Sequence, residues 1–336
     1  MTFISIESVV STPFVNSLWG TVRRKILGIS PKRISFSERG FQSASKEIQL
    51  RLERVAGVFL DGYHLTLQHG AGEALATRLE AVDLEVRGFA YEGAAMGLNL
   101  LDTMAPWRRA RLPDFLHRYA EPHTYLIHIG AGWVWGFLPF GEERSRAPMD
   151  PLLRWLGYDG WGFYEGFFQW RKYVEGQEAP VRVTGYGRRV FDHGLGRAWW
   201  FVNGGNPDTI AACVRRASAV RQSDLWCGVG LAATYAGQVS EAELARLSNV
   251  AGPFSIYLAQ GAVFAAKTRE RGGNLVEYTD IACRTLAGIS ALEAARLCDS
   301  TLENLPADSQ PSPYEVWRLR VQEALKSHRP ISSIQP

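Results

Sequence analysis

The sequence predicts an all-α fold: one compact domain made of two tandem, pseudo-symmetric helical units of roughly a hundred residues around a central cavity. Three observations lead there. Apolar residues recur at helical spacing, as at Ile48, Leu52, Val55, Phe59 and Leu60. Small-residue steps recur in one order in both halves: Gly93 with Gly194, Gly130-Ala131-Gly132 with Gly228-Val229-Gly230, and Gly166 with Gly261. The triplet Tyr91-Glu92-Gly93 returns as Tyr164-Glu165-Gly166, each inside an apolar or aromatic run where a carboxylate is out of place.

Residues 1–40 read as a lead-in. Its basic turn, Thr21-Val22-Arg23-Arg24-Lys25-Ile26-Leu27, is read as a solvated face, with a membrane surface as the rarer role. Residues 41–180 form the first unit. Helical spacing covers 43–69, up to the breaker Gly70-Ala71-Gly72, and continues over 74–86. Ala94, Ala95, Leu98 and Leu101 mark a buried helix that Pro106 ends. Arg108, Arg109 and Arg111 read as a solvated cluster. Residues 125–137 form a second buried helix, 139–151 a charged loop and 152–173 a third helix. The polar stretch 175–183, with Pro180, marks the boundary. Residues 181–305 form the second unit, with helices at 185–202, 209–217 capped by Asp208, and 225–236. A further helix runs from the capping-box pattern at Ser240 to about 268, and a last pair covers 274–302. Residues 306–336 are a linker, a short helix and a frayed tail.

Composition excludes several classes. The 336 residues carry 37 basic and 34 acidic side chains, a net charge of +3, which is no basic stripe for nucleic acid. Four cysteines without a CxxC pair make neither a zinc framework nor a disulfide scaffold. No signal-peptide layout and no uncharged run long enough to span a bilayer stand out, so a cytoplasmic protein is expected. A Walker lysine loop, a G-x-S-x-G elbow and a Glu-x-x-His di-iron signature are all missing, and no cofactor or metal is expected.

The residues preceding the matched glycines are Glu92, Glu165, His193 and Gln260, all polar on helices that otherwise read as buried. The repeat places them around one shared cavity. A buried carboxylic acid can serve as proton donor there, with His193 or the other acid as base. Asp159 and Asp192 are candidates to orient Glu165 and His193, and His128 is a further candidate. The competing reading bonds each acid to a buried arginine such as Arg87, Arg188 or Arg197. Eleven tryptophans and 12% aromatic residues supply the cavity wall for a hydrophobic ligand, with Tyr91, Trp133, Trp161, Tyr164, Trp199, Trp226 and Gln260 as binding candidates.

Several segments together resemble a known family. They are Arg39-Gly40-Phe41, Phe89 to Met96, His128 to Trp133, Tyr158 to Gly166, Phe191 to Arg197, and Asp224 to Leu231. The chain resembles, over roughly 35–270, the bacterial domain-of-unknown-function family 1702, which includes UnbL-type proteins encoded beside enediyne polyketide synthases. The resemblance implies a role in natural-product biosynthesis and transfers no catalytic residue. The combined expectation is an enzyme, a cyclase or isomerase, that holds a polyketide or isoprenoid polyene and acts by cofactor-independent acid–base chemistry. Two alternatives stand beside it: a non-catalytic accessory that shields a nascent polyene or binds its polyketide synthase, and a metal-dependent oxygenase.

Overall fold

The computed structural model of the chain describes residues 18–42, 45–105, 107, 110–178, 180–237, 239–306 and 310–328. The expected lead-in before residue 18, Arg108 and Arg109 of the basic cluster, and the tail from residue 329 lie outside the described residues. The fold is all-α, with no strand among the described residues. Contacts divide the chain into two units, Met1–Gly40 with Leu50–Trp161, and Phe41–Gln49 with Gly162–Pro336. The sequence marks its boundary in the polar stretch 175–183; the division by contacts passes through one helix at 161/162.

The first unit contains α1 (Leu18–Leu27), α2 (Phe36–Arg39), most of α3 (Lys46–His69), α4 (Glu73–Glu80), α5 (Arg87–Met104), α6 (Arg111–Phe115), α7 (Thr124–Phe137), α8 (Glu142–Arg146) and the start of α9 (Leu156–Phe168). Helix α7 has no charged residue and is buried from Thr124 to Trp135, so it is a core helix with no solvent face. Helix α5 is buried from Gly88 to Asp102.

Glycine sets how these helices meet. A β-carbon on Gly62 of α3 would lie 2.0 Å from the Ala90 carbonyl oxygen of α5, and one on Gly93 would lie 1.8 Å from the Phe59 carbonyl oxygen. Each glycine therefore receives the carbonyl three residues before its counterpart. Further along, Gly97 meets Thr66. Contacts advance together on both helices, so α3 and α5 run parallel. The same exchange joins α7 to α9, where Gly132 faces the Gly157 oxygen at 1.8 Å and Gly160 faces the Ile129 oxygen at 1.9 Å. Such approaches put Cα–H groups against carbonyl oxygens, a weak attraction repeated at each crossing. They also repay the helix propensity that an interior glycine forfeits, about 1 kcal/mol each.

The second unit contains the end of α9, then α10 (Tyr186–Val202), α11 (Pro207–Arg216), α12 (Ala219–Tyr235), α13 (Glu241–Ala251), α14 (Ser255–Arg271), α15 (Glu277–Ala287), α16 (Ala291–Leu302) and α17 (Pro313–His328). Helices α10, α12, α14 and α16 pack side by side, and α11, α13 and α15 form a second layer. Gly196 and Gly228 exchange carbonyl approaches with Leu225 and His193 at 2.0 and 1.9 Å, and Gly230 and Gly261 with Leu258 and Cys227 at 2.0 Å each. One long helix and one return segment make the repeat unit, as in stacked helical repeats.

The recurrence has a shorter period than the sequence reading assigns it. The glycines that receive a carbonyl in this way are Gly93, Gly130, Gly160, Gly228 and Gly261, spaced by roughly 30 to 37 positions, or by twice that from Gly160 to Gly228. The offset of about a hundred read from the sequence is three of these repeats. Gly166 rests against the Ala198 and Leu195 side chains and is not the counterpart of Gly261. The residue before a crossing glycine is therefore Glu92, Ile129, Asp159, Cys227 or Gln260; Glu165 falls outside the set, and His193 takes part through its carbonyl, which Gly228 receives.

Element ends differ at several places: α12 begins at Ala219 rather than 225, α4 ends at Glu80 rather than 86, and α9 covers Leu156–Phe168 rather than 152–173. Two further differences have local reasons. Asn206, not Asp208, caps α11 by accepting the Asp208 and Thr209 N–H groups, while the Asp208 carboxylate pairs with Arg246 at 2.7 Å. Ser240 forms the expected capping box with Glu243, but α13 stops at Ala251 because Gly252 turns to positive φ and Pro253 follows.

Gly228→Ala is expected to lower stability by about 3 kcal/mol, because its methyl group would enter the space held by the His193 carbonyl. Gly57→Ala, whose β-carbon meets only Ile34 at 4.0 Å, is expected to raise stability by about 0.5–1 kcal/mol. Urea-unfolding midpoints of the two variants separate a packing role for the crossing glycines from a general tolerance of alanine.

Candidate functional site

In the first unit, Glu92 is buried on α5 and its carboxylate accepts the Trp133 indole N–H of α7 at 3.1 Å. The Trp133 ring lies 4.1 Å from that of Phe59 on α3. Tyr91 donates its hydroxyl to Glu80 at 2.6 Å, and the other Glu80 oxygen takes Arg87 at 2.6 Å. Burial first, and then the Glu80 carboxylate, push the Tyr91 pKa up, so the phenol stays protonated. His123 stacks on the Tyr91 ring at 4.2 Å. Burial pulls its pKa down to about 4, and His123 is neutral at pH 7. His128 is also buried and lowered by burial; its neutral ring donates Nδ1–H to the Thr124 carbonyl one turn back, at 2.7 Å. Asp159 is wholly buried on α9. Trp161 stacks with Tyr158 at 6.4 Å.

In the second unit, the Asp192 carboxylate faces Arg221, with Nε 3.1 and 3.0 Å from its oxygens and Nη2 at 2.7 Å. Burial raises the Asp192 pKa against the pull of Arg221. The ion pair turns this carboxylate to Arg221, although His193 is its neighbour in sequence. Glu165 accepts the side-chain amide of Gln169 one turn along α9. Gln260 is fully buried: its amide N–H donates to the Arg318 carbonyl at 2.6 Å, and its oxygen accepts Gln322 at 3.0 Å and the Cys227 thiol at 3.4 Å. It ties α17 to α12 and α14. Tyr164 packs on Phe168 at 4.9 Å, and Trp199 and Trp226 are core residues. The Trp199 and Trp200 indole N–H groups have no partner among the described residues.

Sequence reasoning missed the most heavily engaged acid. Asp224 on α12 is wholly buried between Arg189, 2.9 Å away on α10, and Arg318, 2.5 Å away on α17. Burial opposes ionisation, but the two guanidinium groups win and hold its pKa below the usual carboxylate range. Glu315 closes the network, accepting the Tyr186 hydroxyl at 2.6 Å and pairing with Arg189 and with Arg318. The only local signal was a carboxylate followed by an apolar run; its partners are remote in sequence.

A cavity of about 430 Å³ opens in the first unit at the C-terminal end of α5. Asn99, Asp102 and Thr103 line one wall, Leu112 and Pro113 of α6 another, and Gly141, Arg144, Ser145, Ala147 and Pro148 the third. The volume suits a drug-sized ligand. Asp102 is already engaged: Oδ1 takes the Arg111 guanidinium at 2.9 Å and Oδ2 the Leu112 N–H at 3.0 Å. None of the residues that the sequence nominates lines this cavity. Among the described residues, no group of three His, Cys, Asp or Glu is placed to hold a metal ion, and no helix is long and apolar enough to cross a membrane.

A family model described as protein of unknown function (DUF1702) matches residues 18–325. The chain belongs to the DUF1702 family. No curated protein and no solved structure matches it. The match runs through both units of this DUF1702 protein, from α1 to α17, so the crossing glycines, the Asp224 network and the cavity all lie within the shared region.

Two outcomes test these charges. Arg318→Met strands Asp224 with Arg189 alone and is expected to cost about 3–5 kcal/mol in urea unfolding. Adding Asp224→Asn is expected to recover part of that loss, a non-additivity read from the double-mutant cycle. His123 binds its proton near pH 4 when folded and at its ordinary 6.5 when unfolded. Its contribution is therefore full above pH 6.5 and declines as pH falls toward 4, by about 3 kcal/mol in all. His123→Phe is expected to flatten the stability profile across that window.

Proposed function

We propose that this DUF1702 protein is a non-catalytic accessory of natural-product assembly that holds a hydrophobic polyketide-type chain in the cavity at the end of α5. The carrying observation is how the polar side chains are used. Asp192 is held by Arg221, Gln260 by Arg318 and Gln322, and the cavity's one acid, Asp102, by Arg111 and Leu112. A general base needs an oxygen or nitrogen open to substrate. Leu112, Pro113, Ala147 and Pro148 supply apolar walls, and Arg144 and Ser145 a polar end. Met104 and Phe140, next in sequence to the lining residues Thr103 and Gly141, are exposed and apolar, which suits the mouth of a site for a hydrocarbon chain. The polyketide class, and the enediyne setting with its synthase as partner, rest on the family resemblance.

A second reading keeps the acid–base isomerase or cyclase, with Glu92 as proton donor. The observation in its favour is a buried carboxylate set against Trp133 and Phe59, aromatic faces that favour developing positive charge.

Titration with a fluorescent conjugated tetraene fatty acid separates the two. Thr103→Trp, which fills the cavity from a half-buried position, is expected to weaken binding at least about tenfold, while Glu92→Gln and Glu165→Gln bind as the parent does. Unchanged binding by Thr103→Trp removes the cavity reading. A product profile from the assembly system that changes with Glu92→Gln replaces it with the acid–base reading.

A further inference from the structure

Helix α1 is fastened on one side and bare on the other. Gly20 is buried against α3, where a β-carbon would lie 2.0 Å from the Gln68 carbonyl oxygen. Arg23 donates to the Leu67 carbonyl at 2.9 Å and Arg24 to the Gln68 side chain at 2.9 Å. These contacts fix the helix by one face. On the other, Leu18 is 86%, Trp19 77% and Ile26 72% exposed, with Val22 at 43%. At about 100° per residue, these four side chains fall within one stripe about 100° wide. Lys25 borders that stripe and is exposed, as are Lys32 and Arg33 just beyond the helix. From residue 18 to residue 37 the chain has no acidic side chain.

We infer that α1 is an interfacial anchor that seats this protein on an anionic phospholipid surface. The apolar stripe enters the acyl boundary, Trp19 sits at the headgroup level, and Lys25, Lys32 and Arg33 meet lipid phosphates. A soluble protein partner would match the apolar stripe but would not call for exposed cations with no acid among them from residue 18 to residue 37. The anchor belongs to the same unit as the cavity. Arg111, which holds Asp102 in the cavity wall, is also close enough to Arg23 to add to the lowering of its pKa that burial begins.

The test is flotation of the full chain with vesicles of phosphatidylcholine alone or with a third of phosphatidylglycerol, at low and high salt. Binding is expected to be at least about tenfold stronger on the anionic vesicles and to fall with salt. Trp19→Ser with Ile26→Ser is expected to abolish it without lowering the unfolding midpoint, since both side chains are exposed. Failure to float with anionic vesicles overturns the inference, as does undiminished binding by the double variant. Sedimentation of the parent as a dimer that the double variant dissociates, with no vesicle binding, assigns the stripe to a second copy and overturns it too. The cavity proposal is read from tetraene titration in the absence of vesicles, so failure of either leaves the other standing.

Discussion

Parallel long helices in this protein touch backbone to backbone, and that contact is possible only where a β-carbon is missing. At each such crossing a carbonyl oxygen occupies the place of a side chain, about 2 Å from where the β-carbon would stand, as at Gly93, Gly132, Gly160, Gly228 and Gly261. The carbonyls still close their own helical hydrogen bonds, so the approach leaves no backbone group unpaired. An aromatic ring can use the missing β-carbon too: the Trp135 ring lies 2.2 Å from where one on Gly157 would stand.

The seam also explains the buried polar side chains. The residue before a crossing glycine lies at the edge of the contact, close to a neighbouring helix, and a polar group there must find a partner at once. Glu92 finds the Trp133 indole, and Gln260 finds Arg318, Gln322 and Cys227. Asp224, three residues before Cys227, whose carbonyl Gly261 receives, lies between two guanidinium groups. Ionic ties of this kind are weak sources of net stability but hold register, because each is costly to break on one side only. In the second unit they hold α17 against α10 and α12.

The cavity lies away from the seams. The cavity forms where α5 runs out and short helices α6 and α8 cover its end, a place where helix termini and loop backbone leave room that parallel packing does not. Helix α1 is fixed to α3 by one more glycine seam, at Gly20, and Leu18, Trp19 and Ile26 on its opposite face are exposed.

The sequence by itself determined the helices and the family. An uncharged run bounded by Pro122 and Pro139 specifies α7 to within one residue, since apolar spacing and proline act locally. The Ser240 capping box was equally legible, because its partner is three residues away. The repeat was legible as recurrence but not in period: glycines three helices apart align as well as neighbours do, and only the contacts say which helix meets which. The cap at Asn206 in place of Asp208 turned on backbone direction beside Pro207, which both side chains satisfy on paper. Tertiary structure alone decided the partners of the buried charges. Arg189, Asp224 and Arg318 are 35 and 94 positions apart in the chain, and nothing local to any of them distinguishes a partner in space from a solvated neighbour. Ion pairing depends on distance in three dimensions, whereas helix formation depends on the next four residues.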